Sequence, residues 1–412
     1  MIVLLAHKTA CTYKNNHCLG LKHSFSVTIP IYHKLSTFLG HIRLFAKKEP
    51  EPYHLFIIDG PNAIKISELL VNSGSSLALR FIASAHYLTR LDKTDASLEQ
   101  RMVGWQLATL FKGAWRYLRA CKNAHQKIPS ISELTALTNR ECIESHIKSN
   151  VRQIKSVVVF NERNPFPAYA VASAKKHAIA TACIQHGAVV ENYFPVYVDS
   201  YFTWSDYYSW LLERRVPGLK TRCIGRLGYK MPLPSPRSEK PNKLLLVLQP
   251  ADVSIAREEL LSHFQQILEV CYRFFDTITL RPHPSDNIMP DIAAFIGNRS
   301  FSVDSGPLET ALSRHAITLS LYSTVLFEAP LFDSLPVQYL ASYLSVELMH
   351  RCELQAESPE DLQAIIKSLQ DKTYFDACLE NAKQYAEQRM MAGDSAALFS
   401  LLEQNATPMN ML

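Results

Sequence analysis

The sequence predicts an α/β protein of two Rossmann-like domains whose parallel sheets face each other across a cleft. Three observations lead there. Short, nearly continuous apolar runs alternate with helical stretches in both halves, as expected of strands covered on both faces by βαβ crossovers. A proline-rich stretch, "MPLPSPRSEKPN" from Met231 to Asn242, divides the 412 residues into two parts of ordinary domain size. The charge changes sign at the same place. Residues 1–230 carry 30 Lys and Arg against 15 Asp and Glu, whereas residues 231–412 carry 13 against 23.

The first domain is placed at 1–230. There "MIVLLAH", "YHLFIID", "SVVVFNE" and "ATACIQH" read as strands, with "AYAVASAKKHA" a helix between the last two. The opening "MIVLLAHK" has only five or six apolar residues and no basic flank before them, so it reads as a strand rather than a signal peptide. Residues 231–242 form the linker. In the second domain, 243–412, "KLLLVLQ", "TITLRPH", "HAITLSL" and "LPVQYL" read as strands, and "REELLSHFQQILEVCYRFF" and "STVLFEAPLF" fill helical positions. The mostly helical C-terminal stretch includes "SPEDLQAIIKSL", with Ser358 as N-cap and Pro359 at the first helical position.

Composition narrows the class. A hydrophobic content of 47% with 20% charged residues suits a soluble globular protein. No run approaches the roughly 18 apolar residues of a membrane span. Nine scattered cysteines without a CxxC pair suit reduced thiols in the cytoplasm, not a disulfide framework or a zinc site. The basic first domain predicts an anionic partner, or peripheral contact with an acidic inner-membrane face. No nucleic-acid-binding module is present, and nucleic acid is not an expected partner.

In open α/β sheets, ligands bind beyond the carboxyl ends of the strands, and the polar residues that interrupt the apolar runs fall there. Asp59 and Gly60 end "LFIIDG", Asn161, Glu162 and Arg163 end "VVVFNER", and Gln185, His186 and Gly187 end "ACIQHG". Gln249 ends "LLLVLQ", Arg281 and His283 follow "TITL", and Ser320, Ser323 and Thr324 follow "AITL". A helix starting near Ser323 would offer free N–H groups and two hydroxyls to a phosphate. Glu328, one turn beyond Thr324, would accept from ribose hydroxyls. His283, held between two prolines, and Arg281 would neutralise a leaving phosphate. His186, Glu162 and Asp59 are the candidate bases, with His186 able to take a proton near neutral pH. The aromatic run from Tyr193 to Trp210 would line an acceptor groove or fill the core. There is no DxD triplet, no GxGxxG after a strand and no GxxxxGK[ST]. The expected site is therefore metal-independent, and no cofactor is expected beyond a nucleotide co-substrate.

From about Val157 to Gln338 the sequence resembles bacterial surface-polysaccharide glycosyltransferases of the two-domain GT-B type. The marks are "IQHG", then Pro195, Asp199, Tyr201 and Trp204, then "RPHP", then "SLYSTVLFEA". The "HP" and Ser/Thr elements look like those of bacterial sialyltransferases, polysialyltransferases and Kdo transferases. The "QHG" element is similar to that of CDP-glycerol glycerophosphotransferases. The resemblance implies phosphate binding by His283, Ser323 and Thr324 and a base role for His186. The acidic pair that precedes a glycine in the sialyltransferases is a single Asp59 here. The expected function is transfer of a CMP-activated acidic sugar of the sialic, pseudaminic or Kdo type onto a surface glycan or glycolipid, as in capsule or lipopolysaccharide assembly. CDP-glycerol-type transfer and UDP- or GDP-sugar transfer are the enzymatic alternatives. A non-catalytic nucleotide- or glycan-binding subunit of a capsule assembly complex is the alternative of another class.

Overall fold

The computed structural model describes residues 51–84, 96–103, 131–189, 193–229, 243–249, 256–283, 288–340 and 354–405, together with 42–43, 87, 105–106 and 115. The N-terminal strand expected at "MIVLLAH" and the linker at 231–242 lie outside the described residues.

The first sheet comprises β1 (Tyr53–Ile58), β2 (Leu79–Ala83), β3 (Ile154–Val159), β4 (Ala180–Ile184), β5 (Ser200–Thr203) and β6 (Lys220–Cys223). Every pairing is parallel, in the order β2-β1-β3-β4-β5-β6. All six residues of β1 are buried, which explains why its sequence is a continuous apolar run rather than an alternating one. Helices α1 (Pro61–Asn72), α2 (Ile131–Ser149), α3 (Pro165–Lys176) and α4 (Asp206–Arg215) accompany these strands. Pro61 and Pro165 each open their helix at its first positions, where a missing N–H costs nothing.

The second sheet comprises β7 (Leu244–Val247), β8 (Ile278–Arg281), β9 (Phe301–Val303), β10 (Ile317–Ser320), β11 (Leu335–Tyr339) and β12 (Gln355–Ala356). It too is wholly parallel, in the order β9-β8-β7-β10-β11-β12. That order reverses between β7 and β10, which makes the ends of these two strands the topological switch point where doubly wound sheets bind ligands. In the first sheet the reversal falls between β1 and β3. The second sheet is flanked by α5 (Arg257–Cys271), α6 (Met289–Ile296), α7 (Leu308–Arg314), the single turn α8 (Val325–Glu328), α9 (Pro359–Ser368) and α10 (Lys372–Arg389). Ser358 caps α9 as expected, its hydroxyl accepting from the Asp361 N–H at 3.1 Å.

The helix after α10 packs on the first lobe, not the second. Met390, Leu398 and Leu402 join the core of the first lobe, so α11 (Ser395–Asn405) returns to the domain assigned to residues 1–230. The return is pinned by backbone bonds: Arg226 N–H to Met391 O at 2.8 Å, and Asp394 N–H to Ile224 O at 2.9 Å. The two strands of chain touch closely enough to demand glycine. A Cβ on Gly225, whose φ is +73°, would stand 2.2 Å from the Ala392 carbonyl oxygen, and one on Gly393 would stand 2.4 Å from the Arg226 backbone. Gly225→Ala therefore combines a left-handed φ with a backbone clash, and it should lower stability by at least about 2 kcal/mol. Chemical denaturation of wild type and variant measures this.

Candidate functional site

The strand ends of the first lobe carry three carboxylate or imidazole groups in different settings. Asp59, after β1, accepts from the Ser84 hydroxyl at 2.6 Å and is partly exposed. Glu162, after β3, is 3% exposed. Its Oε2 accepts from the N–H groups of Tyr197 and Val198 at 2.8 and 3.0 Å, while Oε1 is buried without a hydrogen-bond partner. Burial raises its pKa, and the two backbone bonds oppose that rise. Arg163 donates to the Phe194 carbonyl. The pair Glu162–Arg163 thus clamps the 194–198 segment, a structural task the sequence did not disclose.

His186 stands in a turn held by its neighbours. The Gln185 side chain donates from Nε2 to the Gly187 carbonyl at 2.9 Å and accepts at Oε1 from the Trp204 N–H at 2.8 Å. The Trp204 indole N–H donates to the Gln185 carbonyl at 2.9 Å. His186 Nε2 lies 3.3 Å from the Tyr193 hydroxyl. Burial raises the Tyr193 phenol pKa, and the ring tautomer of His186 sets which of the two groups donates. The His186 pKa falls from 6.5 to about 4, because burial penalises the imidazolium more than the Phe160 backbone favours it. The ring is neutral at pH 7. Much of the aromatic run that follows is core: Tyr201, Phe202, Trp204 and Tyr208 are buried, whereas Tyr197 and Trp210 are exposed. Asp199 accepts from the backbone and hydroxyl of Thr181 at 2.9 and 2.6 Å, so it too braces the strand behind the turn.

In the second lobe the predicted residues separate into two groups. Ser320 is fully buried and its hydroxyl donates to the Val247 carbonyl at 2.9 Å, with Gln249 Nε2 3.4 Å away. These two residues tie β10 to β7 at the switch point. Arg281 donates to Asp304 and, at 3.0 Å, to the Gly306 carbonyl, so its guanidinium is spent on the β8–β9 edge. His283 is exposed beyond β8. Ser323 and Thr324 are partly exposed at the start of α8. The helix expected there is a single turn followed by a 3₁₀ segment, Ala329–Phe332, because Pro330 lacks the N–H a longer helix needs. Its first N–H groups are already partly engaged: Leu326 N–H bonds the Ser323 carbonyl at 3.0 Å, and Val325 N–H the Ser323 hydroxyl at 3.3 Å. This single turn presents side-chain hydroxyls rather than an extended helix dipole.

The two lobes meet at these positions. A Cβ built on Gly187 would lie 4.0 Å from the Thr324 methyl group and 3.0 Å from the Tyr193 hydroxyl, so the His186 turn faces the start of α8. Next to that contact, Glu328 is 4% exposed and pairs with Arg226 of the first lobe at 2.6 Å. The Arg226 guanidinium stacks over Trp204 and Tyr229 at 5.1 and 5.4 Å. Sequence reasoning missed Gln185, Trp204 and Arg226 as organisers of the site. Only Gln185 and Trp204 carried a signal, as members of the quoted motifs.

No protein-family model matches the chain, and no curated protein matches it in sequence. Solved structures match over nearly the whole length. UDP-GlcNAc 2-epimerase from Neisseria meningitidis, bound to UDP-GlcNAc, aligns with a TM-score of 0.56 at 13% identity, over 86% of this chain and 100% of that one. Acinetobacter baumannii MurG aligns at 0.52 and 9% identity, over 86% and 100%. A UDP-glucosyltransferase from Polygonum tinctorium that glucosylates indoxyl aligns at 0.53 and 11%, over 87% and 99%. With two parallel Rossmann-like sheets facing each other, the chain has the GT-B architecture that the sequence predicted.

Proposed function

We propose that this protein is a nucleotide-sugar-dependent glycosyltransferase that moves an acidic sugar from a CMP donor onto a glycan or glycolipid acceptor. The observation that supports the reading is the approach of the His186–Gly187 turn to Thr324, which brings a first-lobe strand end close to the hydroxyls that follow β10 at the switch point. In this reading the acceptor hydroxyl attacks the anomeric carbon and its proton passes to the unprotonated ring nitrogen of His186. The sugar–phosphate bond breaks, and the departing nucleotide phosphate is held by His283, Ser323 and Thr324. Glu328 accepts from the ribose. The excess of basic residues before position 230 favours an acidic acceptor or an anionic membrane face. Among the described residues no helix is long and apolar enough to cross a membrane.

A UDP-linked donor is the second reading. It is favoured by the fold neighbours, whose names specify UDP-GlcNAc or UDP-glucosyl transfer. A thermal-shift panel of CMP, CDP, UDP and GDP on wild type and His283→Ala separates the two. The expected result is a rise in Tm with CMP that disappears in the variant. Stabilisation by UDP alone would replace the donor, and stabilisation by none of the four would remove the nucleotide reading. Product analysis with the stabilising donor then distinguishes transfer to a glycan from isomerisation of the donor sugar.

A further inference from the structure

We infer that Arg226 is a positioning residue of the donor site: reaching from the first lobe, it sets the Glu328 carboxylate of the second to accept the ribose hydroxyls of a bound nucleotide. The inference rests on the proposed function and deepens it. A carboxylate as buried as Glu328 must be paired, because an isolated charge out of water is costly. Its partner crosses between lobes, Arg226 Nη1 lying 2.6 Å from Oε1.

The guanidinium is itself held on several sides. It stacks on Trp204 and Tyr229, its Nη1 lies 3.3 Å from Met390 Sδ, and its backbone N–H bonds Met391 O. A planar fork held in this way fixes the torsion of the carboxylate it grips. A carboxylate offers about four lone-pair sites, so one bond to Arg226 leaves capacity for a diol.

A second observation marks the place as one that receives a ligand. The Tyr229 hydroxyl is buried and has no hydrogen-bond partner, and Glu328 and Arg226 are among the charges that act on it. A polar atom left unpaired beside a paired carboxylate is the setting in which a ligand hydroxyl completes the bonding. The mounting of Arg226 also couples it to the other half of the reaction. Trp204, beneath the guanidinium, is the residue whose backbone and indole N–H groups hold Gln185 and with it the His186 turn. One indole therefore supports both the candidate base and the ribose-binding carboxylate.

The test compares dissociation constants for CMP and 2′,3′-dideoxy-CMP, and for the uridine pair, by calorimetry. The proteins are wild type, Arg226→Met, Arg226→Lys, Glu328→Gln and the Arg226→Met/Glu328→Gln double variant. Met keeps the packing of the aliphatic stem. Wild type should prefer the ribonucleotide. Arg226→Met should bind it about tenfold more weakly, leave the dideoxynucleotide unchanged, and raise the donor KM with little effect on kcat. Arg226→Lys should recover part of the preference, and the double variant should lose no more than Glu328→Gln alone. A structural role would lower Tm without moving the ribo-to-dideoxy ratio. An unchanged ratio in Arg226→Met, or additive losses in the double variant, overturns the inference. Should Arg226→Met fail to fold, an unchanged ratio in Arg226→Lys does the same. A wild type that binds both nucleotides equally also overturns it, whereas one that binds neither removes the proposed function as well.

Discussion

His186→Ala is expected to lower kcat by about 10²- to 10⁴-fold, the usual contribution of a general base, while nucleotide affinity stays within about twofold. The argument is geometric first. His186 is in the first lobe and touches none of the second-lobe groups assigned to the nucleotide, yet its turn abuts Thr324. Its pKa of about 4 means that the basic form is already populated at neutral pH, so activity needs no prior deprotonation. The acid limb of kcat/KM, which reports the free enzyme, should therefore fall near pH 4. The limb of kcat should lie higher, because an anionic donor across the cleft stabilises the imidazolium and raises its pKa. Glu162→Gln provides the contrast. Glutamine keeps an acceptor oxygen for the Tyr197 and Val198 N–H groups, so activity should survive if Glu162 only clamps that segment. Loss of activity in Glu162→Gln with little change in His186→Ala would transfer the base role to the carboxylate.

Most of the strands were readable because they are largely buried on both faces. β1, β3, β4, β7, β8, β10 and β11 announce themselves as apolar runs. β6 could not be read in that way. Its sequence, Lys-Thr-Arg-Cys, alternates exposed and buried because it is the outer strand of its sheet, and edge strands favour charge over continuous hydrophobicity. β5 was hidden inside an aromatic run that reads equally well as a groove lining. The helix beginning at Ser323 was overestimated, since apolar spacing continues through "VLFEAPLF" although Pro330 ends regular hydrogen bonding. The Arg226–Glu328 pair was beyond reach for a different reason. It joins residues about a hundred positions apart in two lobes, and nothing local in "IGRLG" distinguishes a lobe-crossing arginine from a solvated one. The same holds for the return of α11 to the first lobe, which shows only in the structure, through shared core packing and the close passage of Gly225 and Gly393.

Acidification from pH 7 to pH 4 should remove about 6 kcal/mol of folding stability through two buried histidines that take no part in the proposed reaction. His54 is 1% exposed, with Nδ1 2.8 Å from the Ser156 hydroxyl, and His146 is 7% exposed, with Nε2 3.0 Å from the Tyr53 hydroxyl. Burial lowers both pKa values from 6.5 to about 4, helped at His54 by the positive charge of Lys155. A histidine depressed in this way takes up its proton first in the unfolded chain. Its stabilising contribution is complete above pH 6.5 and drains away as pH falls towards 4, at about 3 kcal/mol for each residue. Glu162 works with the opposite sign, because its raised pKa means that protonation at low pH relieves the cost of a buried carboxylate. His186, lowered to about 4 by burial, adds a third contribution of the same sign as the two histidines, and denaturant unfolding at pH 7 and pH 4 measures the total. His146→Gln, which can still bond the Tyr53 hydroxyl but cannot titrate in this range, should reduce the difference between the two pH values by about a third, whatever its effect on absolute stability. An unaltered difference would mean that His146 is already protonated in the folded protein, and that the polar network around Tyr53 and Asn150 admits solvent.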